Sequence, residues 1–196
     1  MPSGDRSGTG DAVAQNGRHR LFFALVPDET TRERLSRAAK RLRIEQGAHG
    51  RWIDPRRYHL TMQFLGDFDG LPHSLLAQAR AAAASVRVAP FTLVVDRAGS
   101  FANRSIPWWL GPGAEVPGLA GLWGELGVAL AHAGVPVAGG HHFRPHVTVL
   151  RDAGAPLPAA LSVPPIEWRV EAFNLLDSAV AQQGAYTWQG SWPLVA

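Results

Sequence analysis

A chain of 196 residues that is 46% hydrophobic and 18% charged can bury a core of its own, and no apolar run approaches the roughly 18 residues of a membrane-spanning helix. The formal charge of +3 is small and uneven: residues 1–57 hold 12 Lys+Arg against 7 Asp+Glu and the remainder 7 against 9, short of the sustained basic stripe of a dedicated nucleic-acid binder. Cysteine is absent, which excludes disulfides, thiolate metal sites and cysteine nucleophiles; with no apolar signal core at the N-terminus, the cytoplasm is the expected compartment.

Residues 1–17 are rich in Gly, Ser and Asp and hold almost nothing to bury, so they read as a disordered tail before a single domain over 18–196. RLFFALV, 20–26, is a strand. After Pro27, Thr30 and Glu33 have capping-box spacing, and Leu35, Ala38, Ala39 and Leu42 recur at helical period, which predicts a helix with its arginines toward water. YHLTMQFLG is a strand, followed by an alanine-rich helix from about Pro72 to Val86. FTLVVDRAG and IPWWLG are two further strands. A helix from about Pro117 to Ala133, the loop VAGGHHFR and the strand PHVTVLR come next. IEWRVEAFNLLDS and AYTWQGSWPL close the chain as strands around the turn-like AQQG. Strand, helix and histidine strand therefore occur twice, the pattern of a duplicated unit.

The two histidine strands carry the chemistry. Side chains alternate along a strand, so His59, Thr61 and Gln63 share one face of YHLTMQFL while Leu60, Met62 and Phe64 share the other; His146 and Thr148 likewise oppose Val147 and Val149. Composition produces about 0.3 His-x-Thr triplets by chance, and two are present in matching strand contexts. Two imidazoles near neutrality can be held in opposite protonation states, one taking a proton from a nucleophile while the other gives one to a leaving oxygen. The threonine hydroxyls can bond non-bridging phosphate oxygens, and an arginine can offset their charge, so in-line phosphoryl displacement needs no metal.

Alternatives to this site are weaker. A metal cluster of His141, His142 and His146 lacks a helical i, i+4 pair because Pro145 intervenes. Arg51, Arg56 and Arg57 can meet an RNA backbone or simply stay solvated, and Trp52, Trp108, Trp109 and Trp123 can stack on bases or fill core. No Gly-rich phosphate loop is present, and Gly139-Gly140 reads as a turn.

The blocks RLFFALVPDE, RWIDPRRYHLTMQFLGD, FRPHVTVLRD, AFNLLDS and GAYTWQGSWPL resemble, in this order over nearly all of residues 20–195, the two-histidine phosphoesterases, and among them the RNA 2′,3′-cyclic phosphodiesterases, also called LigT-type or 2′-5′ RNA ligases. The resemblance implies an α+β fold of two pseudo-symmetric lobes, with antiparallel strands lining a central cleft and helices outside. It implies His59 and His146 as the catalytic pair, Thr61 and Thr148 as phosphate partners, and Arg151 as the arginine closing the second motif. Strict alternation sets Arg151 on the face opposite His146, so its reach to phosphate requires a twist or a strand end. Phe143 resembles the aromatic before the second motif and is expected to flank the base, the alternative being an ordinary core aromatic. FANRSIPWWLG carries an extra Pro and Trp relative to the family, which allows a shifted middle strand.

The implied reaction is metal-free and cofactor-free opening of RNA or nucleoside 2′,3′-cyclic phosphates to 2′-phosphates, by a monomer acting on RNA ends or small nucleoside cyclic phosphates. Water at about 55 M favours hydrolysis over the reverse 2′-5′ ligation unless an RNA end is bound in place. A non-catalytic RNA-binding module on the same fold is the rival from another class; it needs no paired acid and base.

Overall fold

The computed structural model describes residues 17–138, 142–179 and 186–196. The expected tail up to residue 16, the Gly139-Gly140 turn, His141 and the AQQG turn lie outside the described residues. In chain order the elements are β1 (Arg18–Leu25), α1 (Glu29–Gln46), β2 (Arg51–Trp52), a 3₁₀ turn (Pro55–Arg57), β3 (Leu60–Asp69), α2 (His73–Ser85), β4 (Phe91–Ser100), β5 (Trp108–Gly111), α3 (Pro117–His132), β6 (Val147–Arg151), β7 (Leu161–Val170), β8 (Ala172–Ala179) and β9 (Thr187–Pro193).

The strands pair antiparallel in the order β7-β4-β5-β6-β3-β1-β8-β9, with β2 alongside β6. At the middle, β3 and β6 meet through the single residue pair Leu60 and Val147, which divides the sheet into two halves. Within the first half, β1 and β3 are antiparallel neighbours separated in sequence by α1; in the second, β5 and β6 are antiparallel neighbours separated by α3. The duplicated strand, helix and histidine strand expected from the sequence is therefore present. The second half is built from the consecutive strands β4 to β7, whereas the first is completed by β8 and β9, which return from the end of the chain.

Period-two patterning assigns the faces. Leu21, Phe23 and Leu25 of β1 join Leu60 and Met62 of β3 and Val147 of β6 in the main core. That core is completed by Leu35, Ala39 and Leu42 of α1, Leu76 and Ala79 of α2, and Leu119, Leu122, Leu126 and Leu130 of α3. The alternate residues Phe22 and Ala24 form a smaller cluster on the opposite face with Leu176, flanked by Val26, Phe64 and Tyr186. This second face, opposite the helices, is the expected cleft face.

Local details differ from the sequence pattern where a stronger signal overrides it. Helix α1 is capped by Asp28 rather than Thr30: the Asp28 carboxylate accepts from the Thr31 N–H at 2.6 Å, and its backbone is extended. The helix ends at Gly47, whose φ of 57° is the left-handed conformation that suits glycine. The expected strand IEWRVEAFNLLDS is broken at Glu171, whose carbonyl accepts from the Leu194 N–H at 2.7 Å, and β7 reaches back through Pro164 and Pro165, tolerated because β7 is an edge strand. The middle strand β5 begins at Trp108, beyond the extra proline.

Candidate active site

Leu60 and Val147 are both fully buried on the helix side, so their neighbours on each strand turn to the cleft face. Continuing the Leu60–Val147 register by one residue in each direction sets His59 beside Thr148 and Thr61 beside His146. Each histidine thus sits next to the other motif's threonine, at the seam of the two halves. Both histidines lie one residue before the strand begins, which corrects the expectation that they are strand residues.

The same device holds both rings. His59 Nδ1 donates to the Arg57 carbonyl at 2.8 Å and His146 Nδ1 to the Arg144 carbonyl at 2.7 Å, in each case the residue two positions earlier. A carbonyl only accepts, so the neutral rings carry their proton on Nδ1 and present Nε2 as the atom for proton transfer. Different local structures aim these carbonyls. Before His59, Asp54 caps the 3₁₀ turn by accepting from the Arg56 N–H at 2.9 Å, and the turn closes with the Tyr58 N–H on the Pro55 carbonyl at 3.0 Å. Before His146, Pro145 biases Arg144 to extended backbone.

Each threonine is followed by a β-bulge. Consecutive Phe23 and Ala24 pair with Gln63 and Thr61, leaving Met62 extra on β3; consecutive Trp108 and Trp109 pair with Leu150 and Thr148, leaving Val149 extra on β6. A bulge inserts one residue and so reverses the faces beyond it. On β6, Val149 and Leu150 are both fully buried, and Arg151 returns to the face of His146 and Thr148. Here is the twist that strict alternation lacked. On β3 the same inversion moves Gln63 out of the polar row expected from the sequence: its amide donates to the Trp123 carbonyl of α3 at 3.0 Å, on the helix side. Phe64, expected in the core, faces the cleft with Phe22 instead. Phe64 and Arg151 are therefore equivalent positions in the two motifs, each five residues after its histidine.

Aromatic rings flank both imidazoles. Phe22 lies 5.0 Å from His59, and Tyr186 meets it edge-on at 5.1 Å; Phe101 meets His146 edge-on at 4.8 Å and packs against Trp109 at 5.8 Å. The Tyr186 hydroxyl lies 3.2 Å from His59 Nδ1 and 3.4 Å from the Arg57 carbonyl, sharing the bond that orients the ring. Burial pushes the His59 pKa down to about 4, opposed by its bond to the Arg57 carbonyl and reinforced by His146, Arg57 and Arg151. Burial lowers His146 as well, again against its carbonyl bond and with Arg151 adding to the effect. Arg151 is itself pressed downward by burial and by neighbouring Arg51, which its backbone faces across β2 and β6. An anion entering the cleft relieves these costs together.

The remaining sequence candidates are dispersed. Phe143 stacks on Trp123 of α3 at 5.4 Å with an interplanar angle of 10°. Together with Pro145 it lines a pocket of about 440 Å³ at the start of that helix. Along this extended segment Phe143 and Pro145 point opposite to His146. Trp108 is buried with its indole N–H on the Ala155 carbonyl at 3.0 Å, and Trp52 lies under the Arg43 guanidinium at 5.7 Å. Arg56 pairs with Asp54 at 2.5 Å, Arg51 lies 3.8 Å from Asp152, and Arg57 sits over the Tyr186 ring at 5.1 Å. His142 is exposed, and among the described residues no three ligand-type side chains converge as a metal site. Sequence reasoning missed Tyr186, Phe22 and Phe101. For Phe22 the available signal was its parity in RLFFALV, opposite to the core-facing Leu21 and Phe23.

Known proteins resemble this chain in sequence and in fold. The family model described as LigT like Phosphoesterase matches residues 25–109. The RNA 2′,3′-cyclic phosphodiesterase of Escherichia coli (strain K12) is 32% identical over 181 residues, covering 89% of this chain and 96% of the relative. The protein of the same name from Thermus thermophilus is 32% identical over 178 residues, covering 84% of each. Crystal structures of E. coli LigT in apo form and complexed with 3′-AMP superpose with TM-scores of 0.71 and 0.69, each at 30% identity and covering 92% of this chain and 99% of that one. Fold and paired motifs together define the class, a LigT-like phosphoesterase of α+β architecture. Within that class the chain belongs to the RNA 2′,3′-cyclic phosphodiesterase family.

Proposed function

We propose that the protein hydrolyses RNA or nucleoside 2′,3′-cyclic phosphates to 2′-phosphates, with His59 and His146 as the acid and base. The observation that carries this reading is the register that places each histidine beside the other motif's threonine, with both Nδ1 atoms tied to backbone carbonyls. Relatives named RNA 2′,3′-cyclic phosphodiesterase, and the LigT complex with 3′-AMP, support the substrate class.

The phosphate sits between the two Nε2 atoms. Thr61, Thr148 and Arg151 bond its non-bridging oxygens, and the negative charge offsets the cost of burying an imidazolium. A water oxygen attacks phosphorus and passes its proton to one neutral imidazole; the P–O3′ bond breaks, and the protonated partner gives its proton to O3′. One water is consumed, and a 2′-phosphate and a 3′-hydroxyl result. This proton bookkeeping requires no metal. Phe64 and Phe22 provide an apolar wall beside the first motif. Action as a monomer in the cytoplasm is part of the same reading. Among the described residues no helix is long and apolar enough to cross a membrane.

The test is substitution at each motif. His59→Ala and His146→Ala are each expected to lower turnover of a 2′,3′-cyclic nucleotide by about 10²- to 10⁴-fold, with the urea unfolding midpoint close to that of the unaltered protein. Thr61→Ala and Thr148→Ala are expected to cost less. Full turnover from either histidine variant contradicts the paired mechanism.

A further inference from the structure

The cleft face of the first half does not end at the histidines. Across the sheet, Phe22 of β1 pairs with Leu176 of β8, and Leu176 pairs with Trp188 of β9, so Trp188 shares the face of Phe22. Trp188 is 55% exposed, the one aromatic among the exposed large hydrophobic side chains of the described residues. It borders a pocket of about 380 Å³ that also involves Asn174, Ser191, Val26, Arg32 and Arg169. The charges there are largely engaged: Asp28 caps α1, Arg32 pairs with Glu29 at 2.6 Å, and Arg169 lies 3.8 Å from Glu171. What the pocket offers a ligand is a ring face.

Beside Tyr186, which borders His59 and lies two residues before Trp188, sits a cation. The Arg57 guanidinium covers the Tyr186 ring at 5.1 Å, and its Nε is buried without a hydrogen-bond partner among the described residues. Asp54, three residues earlier, is engaged by Arg56. A cyclic phosphate carries one negative charge, which Arg151 matches, so Arg57 is a second guanidinium in want of an anion. Trp188 stands three strands from His59, at about 4.8 Å per strand, beyond the reach of a nucleoside held at the histidines.

We infer that this face is a track for the upstream nucleotides of an oligoribonucleotide ending in a cyclic phosphate, Arg57 meeting the next phosphodiester and Trp188 stacking on a base beyond it. The inference rests on the phosphodiesterase reading and adds a length preference to it. An exposed ring and a single guanidinium carry no base-edge code, so the track selects length and not sequence.

The experiment compares cytidine 2′,3′-cyclic monophosphate with a tetraribonucleotide bearing a 2′,3′-cyclic end, for the unaltered protein, Trp188→Ala and Trp188→Phe. Anisotropy of a labelled tetraribonucleotide 2′-phosphate is measured on the same proteins. Trp188→Ala is expected to raise KM for the tetranucleotide about tenfold, within the range for loss of one base stack, with kcat unchanged. The mononucleotide constants stay as they were, and Trp188→Phe restores most of the loss. An unchanged tetranucleotide KM, or equal losses on both substrates, overturns the track. If the unaltered protein hydrolyses neither substrate, the phosphodiesterase reading fails, and anisotropy decides the track separately: weaker binding by Trp188→Ala than by Trp188→Phe upholds it, and equal binding overturns it.

Discussion

At the scale of single residues, the two imidazoles owe their behaviour to burial. The free protein holds His59 at a pKa of about 4 and His146 below the ordinary 6.5, so both are neutral near pH 7 although the reaction needs one protonated. The product of one neutral and one protonated ring is largest between the two pKa values. The optimum of kcat/KM, which reports the free enzyme, is therefore expected below pH 6.5. A bound phosphate raises both values by its charge, so the optimum of kcat is expected at higher pH. Initial rates across about pH 4 to 9 check this, and coincident optima above neutrality contradict it. His59, Thr61, His146 and Thr148 were legible in the sequence because a period of two is enough to place them on one face. The Tyr186 contact was not, because the ring it orients lies 127 residues away and only the β1, β8 and β9 pairing brings them together.

At the scale of elements, the bulges at Met62 and Val149 decide which side chains reach the cleft. Alternation was the right rule up to each bulge and the wrong one after it, which is why it misplaced Gln63 and Phe64 and by itself could not bring Arg151, expected from the resemblance, to the face of His146. An extra residue cannot be seen in HLTMQF or HVTVLR, since it is defined only by the partner strand. Next to the second bulge, Trp109 lies across Gly99 of β4, where a Cβ would come within 2.3 Å of the indole ring. Gly99→Ala must displace that ring from Phe101 and the neighbourhood of His146. The expected cost is about 1–3 kcal/mol of stability, as for overpacking, measured by urea unfolding. A neutral result shows that Trp109 is free to move and does not support the site. The helix boundaries were legible to within a few residues, because Leu and Ala recur at helical period and Pro117 opens α3, although α1 is capped by Asp28 and not by Thr30 as the spacing suggested.

At the scale of the whole molecule, two similar halves meet at one residue pair, and the proposed active site lies on that seam. The repeated order of elements was visible in the sequence; the return of β8 and β9 to the first half was not, because no local pattern specifies which distant strands pair. Burying two neutral histidines at this seam ties stability to pH. An unfolded chain binds their protons near pH 6.5, while the folded protein resists until about pH 4 at His59. The contribution is thus fully present above 6.5 and lost as pH falls toward 4. Urea midpoints are expected to drop across that window, and less steeply in a His59→Asn/His146→Asn double variant; equal slopes contradict the linkage.

The central claim, one metal-free site made by two histidine motifs, is tested most directly by product chemistry. A short RNA bearing a 2′,3′-cyclic end is incubated with the protein in excess EDTA, and the 2′- and 3′-phosphate products are resolved. The account predicts 2′-phosphate alone, undiminished by EDTA and lost in both His59→Ala and His146→Ala. Appearance of 3′-phosphate, or activity abolished by the chelator, contradicts it.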